Sequence, residues 1–338
     1  MTEAVLGIDV AKKKIDVVLI ISGRHCRKTF ANSRCGHLQL LRWLKDRGAT
    51  NSHACMEATG GYWEALALQL HDGGHRVSVV NPSQIKNFGR SKLVRNKTDD
   101  VDADLVAEFC LLFNPLPWSP PPAAKRQLRD LVRVREGLLA SLTEYRNRLG
   151  EGTLGRPASD AVGRIIDTLQ DEIAAIERVI VDHIAACPAL AMEVNLLTSI
   201  PGIGIMTAAG VLIEMPAITL FRSAKQVAAY AGLSPRNRQS GSSILGPGRL
   251  VRTGNVKLRS LLYLPALTAL RFNPVIKAFA DNLRSKARLA PKQIVAAAMR
   301  KLLHLCFGVL KNAQPFNPNP PAGQRQRVIL SPDACTTA

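Results

Sequence analysis

Long apolar runs, paired cysteines and, over much of its second half, acidic residues are what this sequence lacks. No uninterrupted apolar stretch reaches the roughly 18 residues at which a helix is read as bilayer-spanning, so no transmembrane helix is predicted. The start, MTEAVLGIDV, has no basic region ahead of an apolar one and passes straight into a strand pattern. That argues against a secretory signal and for a cytoplasmic protein. Seven cysteines (Cys26, Cys35, Cys55, Cys110, Cys187, Cys306 and Cys335) are scattered without a C-x-x-C pair. This excludes a zinc knuckle and a disulfide framework and predicts reduced, mostly structural thiols. Between Thr219 and Lys311 seventeen lysines and arginines face one acid, Asp281. That segment supplies most of the net charge of +19 and points to a polyanionic partner.

What is present divides along the chain. AVLGIDV (4–10), IDVVLIIS (15–22), RKTFAN (27–32), HACME (53–57) and RVSVVNP (76–82) read as strands. Residues 37–48 and 62–74 read as helices closed by glycines, and a short helix and an aspartate-rich one follow the last strand. The order predicts an α/β domain over 1–113. NPLPWSPPPAA (114–124) is a proline-rich linker. A helical region over 125–189 carries two long helices. In the second, Val162, Ile166, Leu169, Ile173, Ile176, Ile180 and Ile184 form a coiled-coil-like seam, which closes either as an intrachain hairpin or between subunits. A third, mostly helical region spans 190–312, with helices near 195–215, 257–272 and 291–311; the tail 313–338 reads as disordered.

KTDDVDADLVAEF (97–109) holds four aspartates in six residues. Thr98 is a good N-cap, and acids suit the first turn of a helix. A helical wheel splits the acids. Asp100, Asp104 and Glu108 fall on the solvent face, whereas Asp99 and Asp102 fall with Val106, Phe109 and Phe113 on the apolar one. Buried carboxylates need a cationic partner. Asp9 sits inside an apolar strand and Glu57 ends another, where sites form in α/β sheets. Asp9, Glu57, Asp99 and Asp102 can therefore converge around one or two Mg²⁺ ions, the arrangement that cleaves phosphodiesters. The competing readings are local: Asp9 capping a turn, Glu57 capping the next helix, Asp99 and Asp102 capping their own. Asp16 reads as surface.

In the third region, PGIG (201–204) between two helices resembles a helix-hairpin-helix turn, whose backbone N–H groups approach a phosphate. SPRNRQSGSSILGPGRLVRTGNVKLR (234–259) reads as a basic, glycine- and serine-rich loop. Its Arg236, Arg238, Arg249, Arg252, Lys257 and Arg259 are the candidate nucleic-acid contacts. Tyr62, Trp63 and Tyr230 read as core residues. No helix-turn-helix or zinc finger for reading a DNA sequence is recognisable.

The combination GIDVAKKKIDV, MEATGGYW and VNPSQIKNFGRSKLVRNKTDDVDA resembles the DEDD transposases of bacterial insertion sequences, specifically the family numbered one hundred and ten. PGIG, YAGLSPR and QSGS match that family's second conserved domain, so the resemblance covers about residues 4–310. It implies a ribonuclease H-like, RuvC-like N-terminal domain and a C-terminal transposase domain. Its four acids correspond to Asp9, Glu57, Asp99 and Asp102, with Mg²⁺ as the cofactor. It also implies a nucleophilic serine, corresponding to Ser240 before Gly241, and guidance by a noncoding bridge RNA that pairs with donor and target DNA. A homodimer or homotetramer would combine the acids of one subunit with the serine of another, in the bacterial cytoplasm on the nucleoid. Two rivals stay open: a RuvC-like endonuclease that hydrolyses DNA junctions with water, and a nucleic-acid-binding protein without catalysis.

Overall fold

The computed structural model describes residues 4–58, 60–92, 99–240, 244–251, 253–286 and 289–319; of these, the side chains of 99–101, 236–240, 244–249 and 286 are not described. Thr98, Gly241, Ser242, Ser243, Arg252 and the tail from 320 onward lie outside the described residues. The chain forms two compact units, residues 1–120 and 121–338.

The first unit is a five-stranded sheet between helices. Its strands are β1 (Val5–Val10), β2 (Lys14–Ile21), β3 (Arg24–Ala31), β4 (His53–Glu57) and β5 (Arg76–Val80), in the order β3-β2-β1-β4-β5. β1, β2 and β3 run as an antiparallel meander, and β4 and β5 join β1 in parallel. Strand alternation sorts the side chains into two layers. Leu6, Ile8, Ile15, Val17, Leu19 and Met56 pack against α1 (Arg34–Lys45) and α2 (Glu64–Asp72). Val5, Val18, Ile20 and Cys55 pack on the other face, against α4 (Asp99–Phe113), which follows α3 (Pro82–Ser91). The proline-rich segment runs along β5: the Trp118 N–H donates to the Val77 carbonyl at 2.7 Å, and Ser78 Oγ donates to the Pro115 and Leu116 carbonyls at 3.0 Å. A proline-rich stretch, with few backbone donors of its own, thus covers the edge of the sheet.

The second unit is helical. α5 (Ala123–Gly150) and α6 (Arg156–Ala186) pair as an antiparallel hairpin. Val162, Ile166, Leu169 and Ile173 pack against Leu138, Leu139, Leu142 and Tyr145, so the seam closes within the chain. Ile180 and Ile184 pass into the larger core, built from α7 (Pro188–Thr198), α8 (Ile205–Glu214), α9 (Ala224–Tyr230), α10 (Val256–Leu261), α11 (Tyr263–Phe272), α12 (Pro274–Lys286) and α13 (Pro291–Asn312). α13 is long and apolar enough to cross a bilayer by length and composition, but Ile294, Ala298, Leu302, Leu303 and Cys306 are its buried face in this core.

Two sequence expectations change here. The segment read as a loop contains a β-hairpin, β6 (Pro235–Ser240) paired antiparallel with β7 (Ile244–Leu250). Its strands satisfy each other's backbone groups, a pairing that glycine-rich composition conceals. The tail does not begin at 313 as an unattached segment: the Phe316 N–H donates to Ser199 Oγ at 2.8 Å and its ring packs on the helical core.

Candidate active site

Asp9, Asp16 and Glu57 share one face and one row of the sheet. Asp9 is the register partner of Asp16. The β1–β4 register runs from Val5 opposite His53 to Ile8 opposite Met56, and one further step sets Asp9 beside Glu57. All three have the parity of Val5, Val18 and Cys55, the face that α4 covers. Asp9 and Glu57 are half-buried.

Asp16 corrects the surface reading. It is 5% exposed, accepts from Thr29 Oγ1 at 2.5 Å and lies 3.0 Å from Lys14 Nζ. Thr29 is its register partner on β3, so Thr29, Asp16, Asp9 and Glu57 continue one polar row across four strands. The alternation IDVVLII, apolar on both sides of the acid, gave no sign of this. A carboxylate with two partners is tolerated inside; one without would not be.

Gly7 is what lets α4 approach this face of the sheet. A Cβ there would stand 2.3 Å from the Ala103 carbonyl oxygen and the Ala107 nitrogen, so only glycine lets α4 lie directly on β1. Gly7 and Asp9 are two residues apart on the same face, and Asp102 immediately precedes Ala103. Asp102 is half-buried, one turn ahead of buried Val106, but Asp104 and Glu108 are half-buried too, so the split of the acids that the wheel predicts is not seen in their burial. Asp99 begins α4, one turn earlier. Asp104 departs from the free solvent-face reading. It accepts from Arg27 Nε at 2.9 Å and Nη2 at 3.1 Å, with His25 Nδ1 at 3.2 Å, and so ties α4 to β3. Glu108 is likewise ion-paired, with Lys92. Among the described residues no three carboxylate, imidazole or thiol groups close on one point as a metal-ligand set. Asp9 and Glu57, the half-buried acids of the row, would offer carboxylate oxygens, the chemistry that suits Mg²⁺.

Beneath the row, Cys55 on β4 and Cys110 on α4 are buried together, and Cys110 Sγ lies 3.8 Å from the His53 carbonyl. Their mutual hydrogen bond and burial push the Cys55 thiol well up, keeping it an unreactive packing group.

In the helical unit, Ser240 ends β6 opposite Ile244, at the tip of the hairpin, and Arg236 pairs in register with Arg249 near its base. Arg238 lies between them on β6. Lys257 is exposed on α10, 3.7 Å from Glu136. Arg259 is half-buried and donates to the Ala231 carbonyl at 3.1 Å, so part of its fork braces the segment leading into the hairpin. The PGIG turn has an internal reason for its glycine: Gly202 has φ +106°, and a Cβ there would stand 2.9 Å from the Ala269 methyl of α11. Tyr62 is 49% exposed rather than core. Trp63 meets Trp118 edge-on at 5.6 Å, and Tyr230 meets Phe221 at 5.7 Å.

Comparison with known proteins fits both units. Residues 6–152 match a family described as transposase, its name carrying the DEDD acids and the IS110 type. Residues 194–281 match the family described as transposase IS116/IS110/IS902. The chain is 33% identical over 320 residues to the pilin gene-inverting proteins of Moraxella lacunata and Moraxella bovis, covering 94% of this chain and 98% of each relative. It is 27% identical over 298 residues to the transposase for insertion sequence element IS1111A of Coxiella burnetii, covering 79% of this chain and 78% of the relative.

The chain belongs to the IS110 transposase family.

It is therefore an enzyme that cleaves and transfers DNA strands. One determinant of the transposase went unread in the sequence: Glu214, at the end of α8. It is buried, pairs with Arg133 of α5 and accepts from Asn255 Nδ2 at 2.8 Å. Its carbonyl accepts from the Tyr230 hydroxyl at 3.3 Å. Asn255 also caps α10, accepting from the Leu258 N–H at 2.9 Å. Burial works against the Arg133 charge, but Glu136 and Glu214 more than offset it, and the Arg133 pKa is raised. Glu214 thus joins α5, α8, α9 and α10, the helices on either side of the hairpin. The only legible signal was a lone acid ending an apolar helix in an otherwise basic region.

Proposed function

We propose that this transposase cuts and exchanges DNA strands with a ribonuclease H-like acid site and a serine nucleophile, guided by a noncoding bridge RNA. The observation that carries the reading is the alignment of Asp9 and Glu57 on adjacent strands, with Gly7 seating the Asp102 end of α4 over them. The strand order, with three antiparallel strands followed by two parallel ones, supports the ribonuclease H-like assignment. Asp9, Glu57, Asp99 and Asp102 would hold Mg²⁺, which when bound supplies Lewis-acid polarisation of the scissile phosphate. Asp16 holds the neighbouring strand position with its own partners, and Asp104 ties the helix to β3, which supports a fixed frame for the acids.

Ser240 at the hairpin tip attacks phosphorus through Oγ, its proton passing to solvent. The bond to one strand oxygen breaks, that oxygen takes a proton from solvent and leaves as a strand-end hydroxyl, and the phosphoserine ester keeps the bond energy for rejoining. Arg236, Arg238 and Arg249 on the same hairpin, with Arg252 and Lys257 beyond it, neutralise the phosphate charge that grows as the serine attacks. The oligomer supplies acids from one subunit and serine from another.

The test is covalent trapping. Wild type and Ser240→Ala are incubated with Mg²⁺, RNA transcribed from the flanks of the element, and labelled donor DNA, then denatured. A Mg²⁺-dependent adduct absent from Ser240→Ala is the expected result. Cleavage without an adduct would replace the serine with water and make the enzyme a hydrolytic resolvase. Omitting the RNA tests guidance: equal recombination without it would remove the bridge RNA from the mechanism.

A further inference from the structure

A second basic site is built by α9 and α13, outside the hairpin. On α13, Arg300 and His304 are one turn apart and Lys301 stands three residues before His304, so the three side chains are neighbours on the helix surface. Lys301 Nζ lies 5.9 Å from the Phe279 ring of α12. Among the described residues no hydrogen-bond partner reaches Arg300 Nε or His304 Nε2, and both atoms are sealed from solvent. Among the described residues, the charged groups that bear on His304 are Arg300, Lys301 and, from α9, Lys225, all of them positive. Burial lowers the pKa of both Arg300 and Lys301, and it lowers that of His304 to about 4, with the three cations adding to the effect. A fold seldom leaves buried donors without acceptors and gathers like charges around them unless something anionic completes the arrangement.

We propose that Lys225, Arg300, Lys301 and His304 form a seat for a phosphate group of a nucleic-acid backbone. A phosphodiester brings one negative charge and several acceptor oxygens, enough for Arg300 Nε, His304 Nε2 and the two ammonium groups together. Arg300 and His304 are half-buried as whole residues and Lys225 is exposed, so the seat would be open to a phosphate from the Lys225 side. The identity of the anion rests on the chain's assignment as a nucleic-acid enzyme; the need for an anion does not.

The test uses the full chain and two probes, a short labelled DNA duplex and a labelled RNA hairpin, with affinity read by fluorescence anisotropy over a series of salt concentrations. Lys225→Gln, being exposed, cannot disturb the core; Arg300→Gln and His304→Gln are checked for unchanged melting temperature. Each lysine or arginine variant is expected to weaken binding about five- to tenfold near 0.1 M salt and to reduce the salt slope by about one, the signature of one lost phosphate contact. Loss on one probe alone names that nucleic acid as the occupant. In wild type, the His304 imidazole, followed by NMR, is expected to titrate at higher pH when the probe is bound than when it is free. Unchanged affinity and slope in Lys225→Gln and Arg300→Gln, or a His304 titration indifferent to both probes, would overturn the seat. Wild-type binding of the probes tests the general assignment separately.

Discussion

Asp9 and Asp16 stand opposite each other on β1 and β2, yet only Asp16 is a fully buried carboxylate, fixed by Thr29 and Lys14. Two neighbouring acids thereby take different parts. Asp9→Asn is expected to reduce strand cleavage by at least about a hundredfold while leaving the melting temperature near wild type, because a nearly isosteric side chain keeps the packing. Asp16→Ala is expected to cost about 1–3 kcal/mol of stability by leaving the Thr29 hydroxyl without its acceptor. Cleavage assays and denaturant unfolding distinguish the two. Comparable loss of stability in both variants would show that Asp9 is structural too.

Gly7 sets the height of α4 over the sheet. Gly7→Ala puts a methyl group where the Ala103 and Ala107 backbone already lies, so the helix must move. The expected result is a loss of about 1–3 kcal/mol from overpacking, with cleavage falling further than stability because Asp102 moves with the helix. A stable variant with wild-type cleavage would mean that the acids do not act from this face.

Asp104 separates support from chemistry on the same helix. Asp104→Asn weakens the tie to Arg27 and His25, a partly exposed contact, and is expected to lower stability by less than about 1 kcal/mol and to leave substantial cleavage. Asp102→Asn is expected to abolish cleavage with little change in melting temperature. Equal loss of cleavage in the two would show that α4 is rotated relative to the sheet.

Glu214 makes a prediction for the helical unit. Glu214→Ala removes the buried carboxylate that Arg133 and Asn255 share, leaving Arg133 only the more exposed Glu136, and a loss of about 2–4 kcal/mol is expected, read as a lower unfolding midpoint of residues 121–338 within the full chain. Glu214→Gln retains one acceptor and is expected to lose less. An unchanged midpoint in the alanine variant would show that the helices around the hairpin do not depend on this residue.

Stability in the absence of nucleic acid should depend on pH through His304. Its folded pKa, about 4, is below that of an unfolded histidine, so the unfolded chain binds more protons between those values. This contribution is therefore complete above the unfolded pKa and declines as pH falls toward about 4; His37 and His75, also lowered by burial, act in the same direction. Unfolding midpoints measured from neutral pH downward are expected to drop more in wild type than in His304→Gln. Parallel curves would show that His304 is not held neutral.

Local pattern alone determined much of this protein. Alternating and continuous apolar runs located all five strands of the first unit, because strand side chains must choose between two faces. Heptad spacing located the seam of α6. Motif order then identified the family. What the sequence left open were matters of partnership between distant residues. Whether the seam closes within the chain depended on Leu138, Leu142 and Tyr145 of another helix. β6 and β7 became strands because each satisfies the other, although glycine and serine favour turns locally. α12 begins at an Asn-Pro pair, with Asn273 Oδ1 accepting from the Val275 and Ile276 N–H groups, a signal present in the sequence but short. Asp16 looks like any strand acid until Thr29 and Lys14 are placed beside it, and Glu214 until Arg133 and Asn255 are. Burial of a charge is decided by whichever partners the tertiary structure brings to it, and neither propensity nor periodicity contains that information.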